Sequence, residues 1–476
     1  MIAWEGRTHG IQTRPFFNAA TLFQSLTSSS ILHPPLPYIM SFANHLPVIQ
    51  LHRRERIEVM SSSTEPLPGT SDIWEPEVFG WVDLEGITRN VFGRYGYQEL
   101  RTPVFERTEV FVRNLGNETD VVQKEMYTFE DRGGRSLTLR PEGTAGVMRA
   151  VANLGLGPGE ECRVFYMGPM FRGERPSAGR RRQFHQVGVE AVGCNSPWMD
   201  AEVIAMLVRY LEALGIAGAK VMINSRGLPE DRPAVAQALR DYFQPHLGEM
   251  CDDCRRRFET NVWRMLDCKQ EACHKLALGA PRIADLLGDE SKAFFRRVCE
   301  GLDRLGVPYE VNPRLVRGLD YYVHTVFEIT HPALGSEDAI AGGGRYRITM
   351  PGSGTPIEGI GFAAGIERLL MTREGLGIAP KARPAADTFI IAAGEEAIPA
   401  GMQLADELRR AGLGGRVVSD VTGRSMKAQF RTANKSGASK VLILGESELK
   451  DRIVTVKDMS DGTQKTVARA EIASCF

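Results

Sequence analysis

The chain has 476 residues, of which 43% are hydrophobic and 25% charged, an ordinary globular composition with length for roughly two to four domains. Its formal net charge is −1, so no global field draws it to nucleic acid and any polyanion site has to come from a local basic patch. No apolar run approaches the roughly 18 residues of a membrane span, and eight cysteines over this length do not make a disulfide framework, so a reducing cytosol is the expected compartment.

Residues 1–60 differ from the rest. They contain no lysine or aspartate, only Glu5, Glu55 and Glu58 as acids, and four of the nine histidines. A transit peptide has such a composition; a poorly ordered tail, or a true start at Met40 or Met60, accounts for it more simply. An amphipathic helix is expected over about 75–95. From there to about 215, strands and helices alternate. "YQELRTPVFE" reads as a strand broken at Pro103, and "SLTLRPEGTAGVMRAVANL" as a strand running into a helix. "RVFYMGPMFRGERPSAGRRRQFHQVGVEAVG" is two alternating apolar runs around a charged loop, hence an antiparallel hairpin. The next helix opens with Ser196 as N-cap and Pro197 at its first position and closes at Gly215. Residues 220–310 are helical, charged and cysteine-bearing, like an insertion. Strand character returns at 311–366, and "AGGGRY" (341–346) reads as a glycine-rich turn that lacks the Lys-Ser/Thr of a phosphate-binding loop. After a linker at 382–388, strands and helices alternate again as in a separate, partly parallel α/β domain.

Polar residues in unexpected places mark the chemistry. The hairpin loop carries Arg172, Arg175, Arg180, Arg181 and Arg182 against Glu174. So many guanidinium groups at one tip repel one another unless an anion joins them, and the guanidinium fork suits phosphate or carboxylate. In the return strand, Gln186, Gly188 and Glu190 share one face and His185, Val187 and Val189 the other. The polar face has room for a ligand with hydrogen-bond donors, an amine being the natural guess. Glu142, Gly143 and Thr144 stand at a strand-to-helix junction, where Thr144 could cap the helix and Glu142 face its positive end. "LVRGLDYYVHTVFEI" (315–329) sets Arg317, Asp320, Tyr321 and Tyr322 into an otherwise apolar strand. "GIGFAAGIERLL" (359–370) runs a strand into a helix that projects Arg368.

In combination, "TPVFE", "MFRGERP…RRRQFHQVGVE" and "GIGFAAGIERLL" resemble the three signature motifs of class II aminoacyl-tRNA synthetases, and "LRPEGTA" and "RGLDYY" those of the bacterial-type histidyl-tRNA synthetase family. The resemblance covers about 64–476. It implies an α+β catalytic domain over 64–384 with a mostly antiparallel class II sheet and a helical insertion at about 225–310. It further implies an anticodon-binding α/β domain over 385–476, after a disordered extension over 1–63. The implied reaction joins L-histidine to ATP as histidyl-adenylate and passes the histidyl group to tRNA(His). Arg172 and Arg317 are then the catalytic residues, with Arg172 on the α-phosphate and Arg317 between the α-phosphate and the substrate carboxylate. ATP is bound by Arg172, Glu174 and Arg368, with Mg²⁺ accompanying it. Histidine is bound by Glu142, Gly143, Thr144, Gln186, Glu190, Arg317, Tyr321 and Tyr322. Of these, Glu142, Thr144 and Gln186 take the ammonium, and Glu190 and Tyr322 the imidazole. For Arg317 and Tyr322 to reach one substrate, the strand has to begin near Tyr321, with a turn at Gly318. A cytoplasmic homodimer is implied, with Arg180–Arg182 contacting the tRNA 5′ end. Three positions depart from the family pattern, namely Arg181 for tyrosine, Arg347 for aspartate, and His324; they bear on adenine contacts rather than on the reaction.

No metal ligand is assigned in the catalytic site. Outside it, Cys251-x₂-Cys254 and Cys268-x₄-Cys273, thirteen residues apart, have zinc-site spacing. Zinc binding and reduced thiols in a helical insertion that contacts the tRNA acceptor stem both remain open. A non-catalytic paralogue, the regulatory subunit of ATP phosphoribosyltransferase, shares the catalytic fold. It lacks the carboxy-terminal domain and has a degraded "RGLDYY", whereas both are intact here. A plain nucleic-acid-binding module is disfavoured by the near-zero net charge.

Overall fold

The computed structural model describes residues 64–115, 119, 121–156, 160–177, 179–318, 321–335, 339–349, 356–378 and 384–476. The expectations for residues 1–63 and for Asp320 lie outside them.

The strands in chain order are β1 (Gln98–Glu99), β2 (Phe105–Arg107), β3 (Thr128–Glu130), β4 (Ser136–Leu139), β5 (Cys162–Phe171), β6 (Gln183–Val192), β7 (Lys220–Ser225), β8 (Glu310–Val311), β9 (Tyr322–Thr330), β10 (Ala339–Ile348) and β11 (Ile357–Gly365). Those of the carboxy-terminal part are β12 (Thr388–Ala392), β13 (Val417–Ser419), β14 (Lys440–Leu444), β15 (Ile453–Asp458) and β16 (Gln464–Ala468). An eight-stranded sheet has the order β1-β5-β6-β11-β10-β9-β7-β8. Pairing is antiparallel from β5 through to β7, and the two-residue strands β1 and β8 add in parallel at the edges. The segment broken at Pro103 feeds two sheets: β1 joins the large one, whereas β2 pairs with β4 in a separate three-stranded sheet.

Period-two alternation sorts the side chains of this sheet onto two cores. Val187, Val189 and Ala191 of β6 join Ile360 and Phe362 of β11 on one face, under the helices Glu77–Arg94, Pro197–Ala213 and Asp289–Arg304. The other face packs Tyr166, Tyr322 and Tyr346 against Phe111, Val147 and Met148 from the helices Thr108–Leu115 and Thr144–Ala152. The helix Pro197–Ala213 starts as expected, the Ser196 hydroxyl oxygen accepting the Trp198 N–H at 3.3 Å.

A third core gathers Val235, Leu239 and Phe243 with Cys254, Val262, Trp263, Met265, Cys268, Cys273 and Leu287. The helical stretch read from composition as one insertion therefore serves two cores. Lys220–Ser225 is a strand of the main sheet, and the helix Asp289–Arg304 sends Val298 and Leu302 into the main core. That helix also covers a fully buried ion pair, in which Arg345 of β10 donates to Asp200 at 2.5 and 3.0 Å and to the carbonyls of Cys194 and Ser196 at 3.0 and 3.1 Å.

"AGGGRY" is not a turn but the interior of β10, paired on both sides. Its glycines are required by what crosses them. A Cβ on Gly342 would lie 2.6 Å from the Arg317 guanidinium, and one on Gly344 2.8 Å from the Tyr322 ring. β9 is bulged opposite β10, with Tyr322 facing Tyr346 and the next partners being Val326 and Gly344. His324 occupies the bulge at φ 46°, and its backbone is satisfied by Gly227 O at 2.8 Å and Arg226 N at 2.7 Å.

The carboxy-terminal sheet, β13-β12-β14-β15-β16, is parallel from β13 to β14 and antiparallel beyond. Its faces bury separate cores, one around Leu404, Leu408, Leu442 and Val454, the other around Phe389, Ile391, Ala433 and Val441. Among the described residues no helix is long and apolar enough to cross a membrane.

Candidate active site

Two cavities adjoin on the sheet face carrying the tyrosines. The smaller, about 90 Å³, is lined by Glu142, Thr144, Gln186, Glu190, Tyr321, Tyr322 and Tyr346, with Gly342, Gly344 and Gly361 in its wall. The larger, about 420 Å³, is lined by Glu174, Arg180, Arg181, Arg264 and Arg368 among others. Arg172, Gln186 and Arg317 line both. A compartment bearing two carboxylates thus meets a guanidinium-rich cleft across a rim that carries two further arginines.

In the smaller cavity, Glu142 accepts the Thr144 and Ala145 amides, both at 2.7 Å, at the start of the helix Thr144–Ala152. Thr144 does not cap that helix; it is the first helical residue, and its hydroxyl donates to Glu190 Oε1 at 2.7 Å. Glu190 is almost wholly buried, at 1% exposure. Burial outweighs the Thr144 hydroxyl and pushes its carboxyl up to about 8, so it holds a proton at neutral pH. Burial also raises Glu142, against the pull of its amide bonds and of Arg172. Gln186 Oε1, Glu190 Oε2 and the Tyr166 and Tyr346 hydroxyls are buried with no hydrogen-bond partner among the described residues. Such groups are costly unless a polar ligand completes them.

The glycines fix the shape of this floor. A Cβ on Gly143 or Gly188 would lie 2.2 or 2.4 Å from the Tyr166 ring, and one on Gly361 2.0 Å from Glu190 Oε2. Gly143, grouped by the sequence with the binding residues, packs against Tyr166 and is not among the lining residues.

Arg317 enters from a bend at Gly318, and the strand proper begins at Tyr322, one residue beyond the expected start. Its Nη1 donates to Glu328 Oε2 at 2.7 Å, and its side chain is 25% exposed. Burial pulls its pKa down, but Tyr322 and Glu328 outweigh this and raise it, so the guanidinium stays charged. Arg172 Nε donates to Pro141 O at 2.9 Å, and its guanidinium lies 5.2 Å over the Phe184 ring. Arg368 donates to Gly179 O at 3.2 Å and Ala339 O at 2.6 Å, and Glu174 accepts Arg180 at 3.4 Å. All the sequence-selected residues except Gly143 line one or both cavities. Sequence reasoning missed Tyr346, Tyr166 and Arg264. Tyr346 sits at the end of "AGGGRY", where the alternation in β10 could have placed it on the same face as Gly342 and Gly344.

The three departures have separate fates. Arg181 lines the larger cleft and donates to Ser71 Oγ at 2.6 Å. Arg347 donates to its cross-strand neighbour Glu358 at 2.7 Å and is not among the residues lining the cleft. His324 stacks on Phe294, the rings 4.1 Å apart and 8° from parallel. Burial, aided by Arg345, lowers its imidazole to about 4.

The model of the family "Histidyl-tRNA synthetase" matches residues 69–369, and that of the "Anticodon binding domain" matches 387–476. A histidine–tRNA ligase of Geobacillus thermodenitrificans is 47% identical over 411 residues, covering 85% of this chain and 96% of the relative. That of Halothermothrix orenii is 46% identical over 406 residues, covering 85% and 96%. The crystal structure of the apo histidyl-tRNA synthetase of S. aureus superposes with a TM-score of 0.71 at 36% identity, covering 87% of this chain and 99% of the other.

Proposed function

The chain belongs to the histidyl-tRNA synthetase family and ligates L-histidine to tRNA(His) at the expense of ATP, through histidyl-adenylate; from that premise we propose how its residues divide the work. The smaller cavity holds histidine. Glu142, Thr144 and Gln186 take the ammonium group, and Glu190 and Tyr322 the two imidazole nitrogens, with Tyr321 as a wall. An apolar amino acid would leave these buried groups unpaired, a penalty of about 10⁴-fold or more at comparable sites. The larger cleft holds ATP, with Arg368 at the γ-phosphate and Glu174 beside Arg172.

A histidine carboxylate oxygen attacks the α-phosphorus, and pyrophosphate leaves. Two anions approach each other in this step, so the requirement is positioning and charge neutralisation rather than proton transfer. Arg172 and Arg317 meet it because they line both cavities, and that shared rim is the observation that carries the reading. A terminal adenosine hydroxyl of the tRNA then attacks the acyl carbon, releasing AMP. Mg²⁺ would accompany ATP and neutralise phosphate charge; Glu174, which lines the cleft and accepts Arg180 at 3.4 Å, would be the carboxylate suited to hold it. The remaining assignments are an extension over 1–63, a class II catalytic domain over 64–384 with its helical insertion, an anticodon-binding domain over 385–476, a homodimer, and a cytoplasmic location. tRNA contacts at Arg180–Arg182 would make binding weaken with salt.

Histidine-dependent pyrophosphate–ATP exchange on wild type and Arg317→Ala tests the assignment. Exchange is expected to fall by about 10² or more in the variant, with folding retained and histidine binding largely intact. Unchanged exchange would remove Arg317 from its role.

A further inference from the structure

We propose that Cys251, Cys254, Cys268 and Cys273 form a structural zinc site, and that this site fixes the segment presenting Arg264 to the larger cleft.

The four sulfurs all lie within 4.8 Å of one another. Thiolates at ~2.3 Å from a tetrahedral Zn²⁺ stand about 3.8 Å apart, and Cys251 Sγ and Cys268 Sγ are 3.8 Å apart. A disulfide needs about 2.05 Å, and all four cysteines are free. Buried cysteines commonly act as small apolar side chains, and Cys254, Cys268 and Cys273 do belong to the third core. Ordinary core packing, however, does not need to converge four sulfurs from two separate segments on one point. Nor does it need an amide aimed at a sulfur, as the Cys251 N–H is at Cys273 Sγ, 3.3 Å away. Soft thiolates in a tetrahedral set select zinc over the Mg²⁺ that ATP brings.

The local architecture shows what such a site would secure. Cys251 immediately precedes the nine-residue helix Asp252–Thr260, and Cys273 lies in the first turn of the eight-residue helix Glu271–Leu278. Helices this short are not stable alone. Between them, the turn Val262–Met265 buries Val262, Trp263 and Met265 beside Val316, the neighbour of Arg317. The Arg226 guanidinium lies over the Trp263 ring at 5.2 Å. Arg264 points the other way, into the cleft. One ion bound to both helices would therefore clamp the turn from either end.

The test is metal analysis of the full-length protein, expressed without a metal-binding tag. About one zinc per chain is expected, lost in Cys251→Ser and Cys273→Ser and retained in Cys273→His, which keeps a zinc ligand. Stripping zinc with a mercurial and a chelator should lower the unfolding temperature, with recovery on adding Zn²⁺ but not Mg²⁺. Replacement by Co²⁺ should give the absorption bands of tetrahedral cobalt thiolate. Folded wild-type protein that supports exchange yet carries no stoichiometric zinc and shows no such bands would overturn the proposal. So would stoichiometric iron in place of zinc. Should the serine variants not fold, wild-type zinc content and the cobalt spectrum still decide. None of these results bears on whether the cleft binds ATP.

Discussion

Glu190→Gln tests the electrostatics of the smaller cavity most directly. Glutamine is isosteric with the protonated acid and keeps an oxygen for the Thr144 hydroxyl, whose bond to Glu190 is 2.7 Å. Burial lifts the Glu190 carboxyl from 4.5 in the ordinary case to about 8. Between those values the unfolded chain has released this proton and the folded chain has kept it. Stability therefore falls as pH rises through the window, by roughly 1.4 kcal/mol per unit. From pH 5.5 to 7.5 the wild type should lose about 2–3 kcal/mol from this group, a loss the glutamine variant escapes. The gap between the two proteins should accordingly widen in favour of the variant. Urea titrations at pH 5.5, 6.5 and 7.5, read by hydrogen exchange in β6, isolate the catalytic part from the carboxy-terminal sheet. A gap that stays flat across this range would mean that Glu190 is ionised in the folded protein, and the burial argument would fail.

Two other substitutions probe the scaffold. Gly342→Ala puts a methyl group 2.6 Å from the Arg317 guanidinium, which has to leave its 2.7 Å bond to Glu328. Pyrophosphate exchange should fall by about 10² while circular dichroism and the unfolding midpoint hold; full exchange would show that the exact seat of Arg317 does not matter. Arg345→Met strands the buried Asp200 carboxylate and should cost about 3–5 kcal/mol in denaturant unfolding. Adding Asp200→Leu should return most of that loss, and a single variant as stable as wild type would refute the account of the pair.

The hairpin of β5 and β6 and the helix from Pro197 were legible because each rests on local signals, alternation in one and a Ser-Pro cap in the other. β10 was not, since three glycines have no side chains to alternate and the demand for them comes from Arg317 and Tyr322, whose crossing is a tertiary fact. The bulge at His324 was hidden for the same reason: it is compensated by Gly227 and Arg226, nearly a hundred residues earlier in the chain. Thr144 looks like a cap in sequence because its distance from Glu190 exists only once β6 lies against the helix. The charged helices at 225–310 share a composition and yet pack on different cores. What separates Val298 from Cys254 is the partner each finds, which composition does not record.

The rim shared by the two cavities has a consequence for the intermediate. On the proposed assignment, histidyl-adenylate is one molecule anchored at both ends, its imidazole beside Glu190 and its nucleotide among the arginines. Either half, when it loosens, is kept close by the other, at an effective concentration well above that of the free compound. A reactive mixed anhydride can then wait for tRNA without escaping to water, although neither compartment alone needs to bind its half tightly.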